Sequence, residues 1–291
     1  MATNESRLEE GYDLAALNKY DLTEDPFSLS ANPRFVHLGE SHKQVYQHAI
    51  SLISRRRGLG LVMGGVGIGK SSLARLLFYN FFDRDDTIVA YVPSANWSTR
   101  TRAVKEVANA LAELNVQTKR SYDGSLVSLS TAIAKAHRDD KKNIVLLLDE
   151  SHLMNPEAFE LVHELYNFDF DVKVVQVLMF GQPELDGLIS SQAHLNSRVA
   201  IRLYLDPLTF PSALEMVNHR LLIAGRKFQL FDDDAFLALY NASSGVPRDI
   251  VATCSWCLDI ILRDKKDRVD MDAVEEANQL RYRHISEGEA P

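Results

Sequence analysis

Short apolar runs alternate with segments of helical periodicity through the first two thirds of the chain, and the alternation stops after Pro207. Leu59 to Met63, Thr87 to Val92, Ile144 to Leu148, Val172 to Phe180 and Ala200 to Leu205 read as strands, being apolar stretches too short for a helix. Ser41 to Ser54, Ser71 to Phe82, Arg100 to Leu114, Ser125 to Arg138 and Pro156 to Tyr166 read as the helices around them. Such alternation implies right-handed crossovers and a mainly parallel sheet covered on both faces. Beyond Pro207 the pattern gives only helices: Ser212 to Ala224, Asp233 to Asn241, Pro247 to Arg263 and Asp272 to Arg283. The expected organisation is a leader over 1–40, an α/β domain over 41–206 and a small all-helical lid over 207–291. Pro26, Pro33 and Gly39 punctuate the leader, which carries aromatic residues at Tyr20, Phe27 and Phe35.

Composition narrows the function classes. The 291 residues are 46% hydrophobic and 25% charged, which suits a folded chain with a sizeable core. No apolar run is long enough to span a bilayer, and the polar, acidic N-terminus is unlike a signal peptide, so a cytoplasmic protein without membrane contact is expected. The net charge of -8 means that any binding to DNA needs a local basic surface. Cys254 and Cys257 have no second cysteine pair nearby and suit a reduced compartment; a C-x-x-C redox or metal reading stays open. The acidic tail from Ser286 to Pro291 is expected to be disordered.

The chemistry is concentrated after the first and third strands. Gly64-Gly65-Val66-Gly67-Ile68-Gly69-Lys70-Ser71, with Ser72 next, fits the phosphate-binding pattern G-x-x-x-x-G-K-[ST] between a strand and a helix. Glycines there allow positive φ and close approach of amides to phosphate oxygens, and the following helix adds its positive end. Lys70 is placed to reach the β- and γ-phosphates of ATP and Ser71 to ligate Mg²⁺. Asn143 to Leu148 is a hydrophobic strand ending in Asp149 and Glu150. Asp149 is the expected second metal partner, acting through water, and Glu150 the group that orients or deprotonates the attacking water. The pair defines an α/β P-loop NTPase expectation.

Several further motifs resemble those of ExeA/GspA-type AAA+ ATPases, a group that also includes the transposition regulators TnsC, TniB and MuB. They are Asp25-Pro26-Phe27-Ser28-Leu29, Asn32-Pro33-Arg34-Phe35, Ser41-His42, Gly181-Gln182-Pro183-Glu184-Leu185, Ser197-Arg198-Val199 through Arg202, Leu205 and Pro207-Leu208, and Gly245-Val246-Pro247-Arg248. The resemblance runs from about Asp25 to Gln279. It implies that Gln182 is the first sensor, contacting the γ-phosphate or the lytic water. Arg198 or Arg202 would act on a neighbouring subunit's nucleotide, the alternative for each being an ordinary surface ion pair. Arg248 matches the second sensor, and a cation at a helix start is poorly placed on dipole grounds, which favours a ligand role.

The resemblance leaves two functions. Secretion proteins of the ExeA kind continue into a membrane span, whereas this sequence stops at Pro291, so the expectation is a TnsC-like regulator. Such a protein forms an ATP-dependent ring or filament on double-stranded DNA and recruits a transposase together with a target-selection protein. Candidate DNA contacts are Arg100, Thr101, Arg102 and Lys105 at a helix start, with Lys119 and Arg120 beyond it; the alternative is a solvated surface. The second expectation is a cytosolic ATPase that serves a protein assembly without DNA.

Overall fold

A computed structural model describes residues 14–28, 32–168 and 171–286; Leu29 and the tail over 287–291 lie outside the described residues. The chain divides into two compact units, one of residues 41–206 and one that joins 1–40 to 207–291.

The first unit is a five-stranded sheet in the order β2-β3-β4-β1-β5, built from β1 (Leu59–Gly64), β2 (Thr87–Val92), β3 (Asn143–Leu148), β4 (Val175–Gly181) and β5 (Val199–Leu205). All four pairings are parallel. The central strands β1, β3 and β4 are buried at every position, which is why they read as unbroken apolar runs. Helices α2 (Glu40–Ser54), α3 (Lys70–Phe82), α4 (Arg100–Ala110), α5 (Tyr122–Asp140) and α6 (Pro156–Tyr166) accompany the sheet. Two short helices, α7 (Glu184–Ser190) and α8 (Ala193–Asn196), fill the β4–β5 connection, where the sequence pattern predicts none.

Other differences from expectation have local causes. The helix expected to reach Leu114 stops at Ala110, where Leu111 leaves helical geometry with ψ 52° and a 3₁₀ turn takes Ala112–Leu114. Strand β4 starts at Val175, not at Val172; before it, Lys173 places its ammonium over the Tyr166 ring and donates to the Tyr166 carbonyl. Beneath the sheet, the fully buried Gln176 accepts from the Gly58 amide at 2.7 Å and donates to Asn143 Oδ1 at 3.2 Å. The pairing satisfies polar groups that would be costly to bury alone.

The second unit holds α9 (Phe210–Ile223), α10 (Asp233–Ser243), α11 (Pro247–Asp264) and α12 (Met271–Ser286). The leader, expected as a segment of its own, shares this unit's core. Helix α1 (Leu14–Asn18) and the loop after it bury Leu17, Tyr20, Leu22, Phe27 and Phe35 among residues of α9 to α12. Polar anchors accompany the packing. Tyr20 donates its hydroxyl to the carbonyls of Ile261 (3.0 Å) and Lys266 (2.6 Å), and Arg220 donates to that of Pro26 (2.8 Å). Cys254 and Cys257, one turn apart on α11, are fully buried free thiols. Burial pushes both upward, Cys257 to about 12, so neither has the thiolate character that redox or metal chemistry needs. Among the described residues, no helix is long and apolar enough to cross a membrane.

Candidate nucleotide site

Parallel strands deliver their C-terminal ends to one edge of the sheet, and in α/β folds ligands bind at that edge. Three neighbours in the order β3-β4-β1 end there in Asp149–Glu150, Gln182 and the glycine loop respectively. Adjacent strands lie about 4.8 Å apart, so the outer two motifs flank the middle one at about 10 Å from each other.

The glycine loop between β1 and α3 has the backbone that its composition permits. Gly67 (φ 75°) and Gly69 (φ 104°) lie in the left-handed region, and Gly69 caps α3 without a side chain. An added Cβ at Gly65 would meet nothing within 4 Å, so that glycine leaves open space facing out of the loop. Lys70, only 7% exposed, folds back to donate to the carbonyls of Gly64 (2.8 Å) and Gly65 (2.7 Å). His42 of α2 donates Nε2–H to the Ile68 carbonyl at 2.9 Å and so braces the loop from behind. Val66 is exposed, Ile68 buried, and Ser71 and Ser72 partly buried in the first turn of α3. Open space at Gly65, a glycine loop at a helix start and a lysine suit the triphosphate of a nucleotide, and the Ser71 hydroxyl and Asp149 carboxylate are the oxygen donors that Mg²⁺ prefers.

Asp149 is 1% exposed, with both carboxylate oxygens engaged. Tyr91 donates to Oδ2 at 2.9 Å and the Glu150 amide to Oδ1 at 2.9 Å. Burial, reinforced by the Asp149 charge, pushes the Tyr91 hydroxyl up to about 12, so it keeps its proton and remains a donor. Glu150 itself sits at φ 52°, a left-handed conformation uncommon for a residue with a side chain. Next comes a 3₁₀ turn, Ser151–Leu153, which carries His152 back toward the end of β4. His152 Nδ1 is 3.5 Å from Glu150 Oε2, and its Nε2 is 2.9 Å from Gln182 Nε2. Neither Tyr91 nor His152 is singled out by sequence reasoning; the spacing Asp149-Glu150-x-His152 was the available signal.

The remaining site residues are distributed as follows. Arg202 on β5 donates to Asp186 at 2.8 Å and also to Asn196. Arg198, just before β5, is exposed with its guanidinium 5.6 Å from the centre of the Tyr166 ring. Arg248 is exposed in the first turn of α11, in the other unit. At the start of α4, Thr99 caps the helix by accepting from the Arg102 amide. Arg102 is paired with Glu106 at 2.6 Å, and Arg100 lies 4.6 Å from the centre of the Tyr122 ring. Thr101 and Lys105 are partly buried, whereas Lys119 and Arg120 are exposed. Trp97, next to this helix start, is a core residue that donates Nε1–H to Glu106 at 2.6 Å.

Sheet order, loop and acidic pair together define an α/β P-loop NTPase fold of the AAA+ type, followed by C-terminal helices. The family model described as "AAA domain" matches residues 53–189. The chain is 28% identical over 247 residues to the general secretion pathway protein A of Aeromonas hydrophila, covering 82% of this chain and 43% of that protein. It therefore spans less than half the length of that relative. Among solved structures, the Cdc6p of Pyrobaculum aerophilum superposes with a TM-score of 0.69 at 15% identity, covering 91% of this chain and 70% of that one. The Aeropyrum pernix ORC1 protein in complex with DNA gives a TM-score of 0.66 at 18% identity, covering 86% and 68%. At these identities the structural likeness establishes the fold.

Proposed function

We propose that the protein is a magnesium-dependent ATPase that uses ATP to assemble copies of itself on duplex DNA. The observation that carries the ATPase part is the convergence of the glycine loop, Gln182 and Asp149–Glu150 on the ends of three adjacent strands. Residues Gly64 to Ser72 bind the phosphates, with Lys70 leaving its two loop carbonyls to neutralise the β- and γ-phosphates. Ser71 and Asp149 hold Mg²⁺, which supplies charge neutralisation across the phosphates. Glu150 orients and deprotonates the attacking water, Gln182 senses the γ-phosphate and Arg248 serves as second sensor. An arginine from a neighbouring copy completes the site, so ATP binding and self-association are linked.

Fold likeness to a protein solved with DNA, the basic residues at Arg100, Lys105, Lys119 and Arg120, and the resemblance to TnsC-type proteins support the DNA part. The finer reading is a regulator of transposition that brings a transposase and a target-selection protein to the assembled complex. Arg102 belongs to the same surface, but Glu106 already neutralises it, so its contribution is the smallest. A second reading, an ATPase serving a protein assembly without DNA, is favoured by the similarity to a general secretion pathway protein.

Duplex binding measured with and without a slowly hydrolysed ATP analogue separates the two. Four phosphate-contacting cations per copy give a slope of about -3.6 in log K against log salt. Arg100→Ala combined with Arg102→Ala would flatten that slope while leaving nucleotide affinity intact. No duplex binding at low salt with the analogue would leave the protein-assembly reading standing.

A further inference from the structure

We propose that Glu160, His163 and His194 bind one divalent transition-metal ion of the zinc class, which ties α8 to α6. The site shares no residue with the glycine loop or the acidic pair, and nothing in it depends on the ATPase reading. Glu160 and His163 are three positions apart on α6 and so project from one face of that helix. His194 arrives from α8, in the β4–β5 connection. A carboxylate oxygen of Glu160 and one ring nitrogen from each histidine lie within 4.8 Å of one another.

The surroundings of His194 distinguish this group from a chance meeting of surface side chains. Its Nε2 is shut off from solvent and has no hydrogen-bond partner among the described residues. Glu160 Oε1 lies 3.9 Å away, too far for a hydrogen bond. A buried polar atom without a partner is costly, and a cation shared with the carboxylate satisfies it. The two imidazoles already face each other edge-on, at 79° with ring centroids 4.7 Å apart. Asn167, one turn further along α6, contacts His163 Nε2 at 3.1 Å and limits the rotation of that ring.

The spacing suits a small ion after a modest adjustment. Around a tetrahedral zinc with bonds of about 2.0–2.1 Å, neighbouring ligand atoms lie about 3.3 Å apart. The Glu160 side chain is 50% exposed and so has room to close the 3.9 Å gap by rotation. Water completes the shell on the exposed side, as in other sites with three protein ligands. Two imidazoles select zinc, nickel or copper, whereas Mg²⁺ and Ca²⁺ take oxygen shells, so this site rejects the ion that the nucleotide site would use. The consequence is local order. Helix α8 has four residues and buries one of them, Leu195, and so short a helix has no stability of its own. A metal bond from His194 fixes it to α6, and with it the chain that leads through Arg198 into β5.

The test titrates Zn²⁺ into the full chain, without affinity tag or nucleotide and in excess Mg²⁺, and follows binding by calorimetry. The expected result is saturable uptake of one ion per chain. His163→Ala, His194→Ala and Glu160→Gln each weaken it at least about tenfold, since even the loss of a group that only orients a ligand costs that much. His219→Ala, which breaks the other histidine pair, His37–His219, binds as the wild type does. Zn²⁺ slows amide exchange in peptides covering α8 in the wild type and not in His194→Ala. Circular dichroism establishes that each variant is folded. No saturable uptake by the wild-type chain overturns the proposal, as does uptake that survives all three substitutions or is lost in His219→Ala instead. Uptake that leaves exchange in α8 unchanged overturns the tie between the helices. None of these outcomes bears on the ATPase reading, which MgATP binding tests separately.

Discussion

Replacing Phe27 by alanine should loosen the four C-terminal helices although Phe27 lies some 180 residues before the first of them. The ring is fully buried and meets Phe231 edge-on at 6.2 Å between centroids. It belongs to the cluster that also contains Leu17, Tyr20, Leu22 and the inward faces of α9 to α12. Truncating a buried phenylalanine to alanine costs about 3–5 kcal/mol, the transfer loss plus the cavity left behind. Amide exchange followed by mass spectrometry reads this locally. If exchange in α9 to α12 requires opening of that cluster, a loss of 3–5 kcal/mol accelerates it by about two to nearly four orders of magnitude. Peptides covering β1 to β5 belong to the other unit and should keep their protection. Tyr20→Phe is the graded control. It removes a hydroxyl shared by two carbonyls, but Ile261 O still accepts from the amides of Lys265 and Lys266, so the cost falls to about 0.5–1.5 kcal/mol. Unchanged protection of α9 to α12 in Phe27→Ala would refute the claim that the leader is part of their core. Equal loss in both units would refute their independence.

Lys70→Ala should abolish nucleotide binding, seen as loss of the heat of MgATP binding while the circular dichroism spectrum is kept. Glu150→Gln should bind ATP with wild-type affinity, hydrolyse it at least about a hundredfold more slowly, and accumulate assembled complexes in size-exclusion chromatography; rapid turnover by this variant would remove Glu150 from the proposed chemistry. The two thiols should be silent to Ellman's reagent in the native protein at pH 8 and react at once in guanidinium. Their folded pKa values lie above the unfolded value of about 8.5, so their stabilisation is complete below that pH and is lost as pH rises through the folded values, about 12 for Cys257. A stability profile that is flat from pH 8.5 to 10.5 would contradict the burial argument.

What the sequence discloses is what leaves a periodic trace. Strands β1, β3 and β4 are covered on both faces, so burial and apolar composition coincide along every residue, and their positions are legible to within a few residues. Helices α7 and α8 are not legible, because with seven and four residues they are too short to complete a repeating apolar face. The leader defeats the same reasoning for a different reason. Its buried residues, Tyr20, Leu22, Phe27 and Phe35, follow no period at all, and only the tertiary packing tells them from loop aromatics. At the site, Lys70, Asp149 and Glu150 are readable because phosphate and metal chemistry dictates their spacing. His152 and Tyr91 act by reaching neighbours on other strands, and a one-dimensional pattern does not display those meetings.

The structure also sharpens a choice between two arginines that the motif leaves open. An arginine that serves a neighbouring copy's nucleotide must present its guanidinium outward, and any bond it already makes within its own chain has to be broken first. Arg202 would have to give up Asp186 and Asn196, and leaving Asp186 would strand a half-buried carboxylate whose remaining hydrogen bond among the described residues comes from the Tyr204 hydroxyl. Arg198 is exposed, and among the described residues its ring contact with Tyr166 is the interaction to be surrendered, one that Lys173 shares at 3.6 Å and would keep filled. With the guanidinium itself exposed and 5.6 Å from the ring centre, such a contact is worth about 0.5–1 kcal/mol, less than a charge-assisted bond to a carboxylate at about 1.5–3 kcal/mol. The proposed trans-acting residue is therefore Arg198, with Arg202 as the strut that fixes β5 to α7 and sets where Arg198 emerges. On this argument Arg198→Ala should lower hydrolysis only where copies associate, so that activity no longer rises with protein concentration. Arg202→Ala should lower thermal stability as well; the reverse assignment of these two phenotypes would exchange the roles.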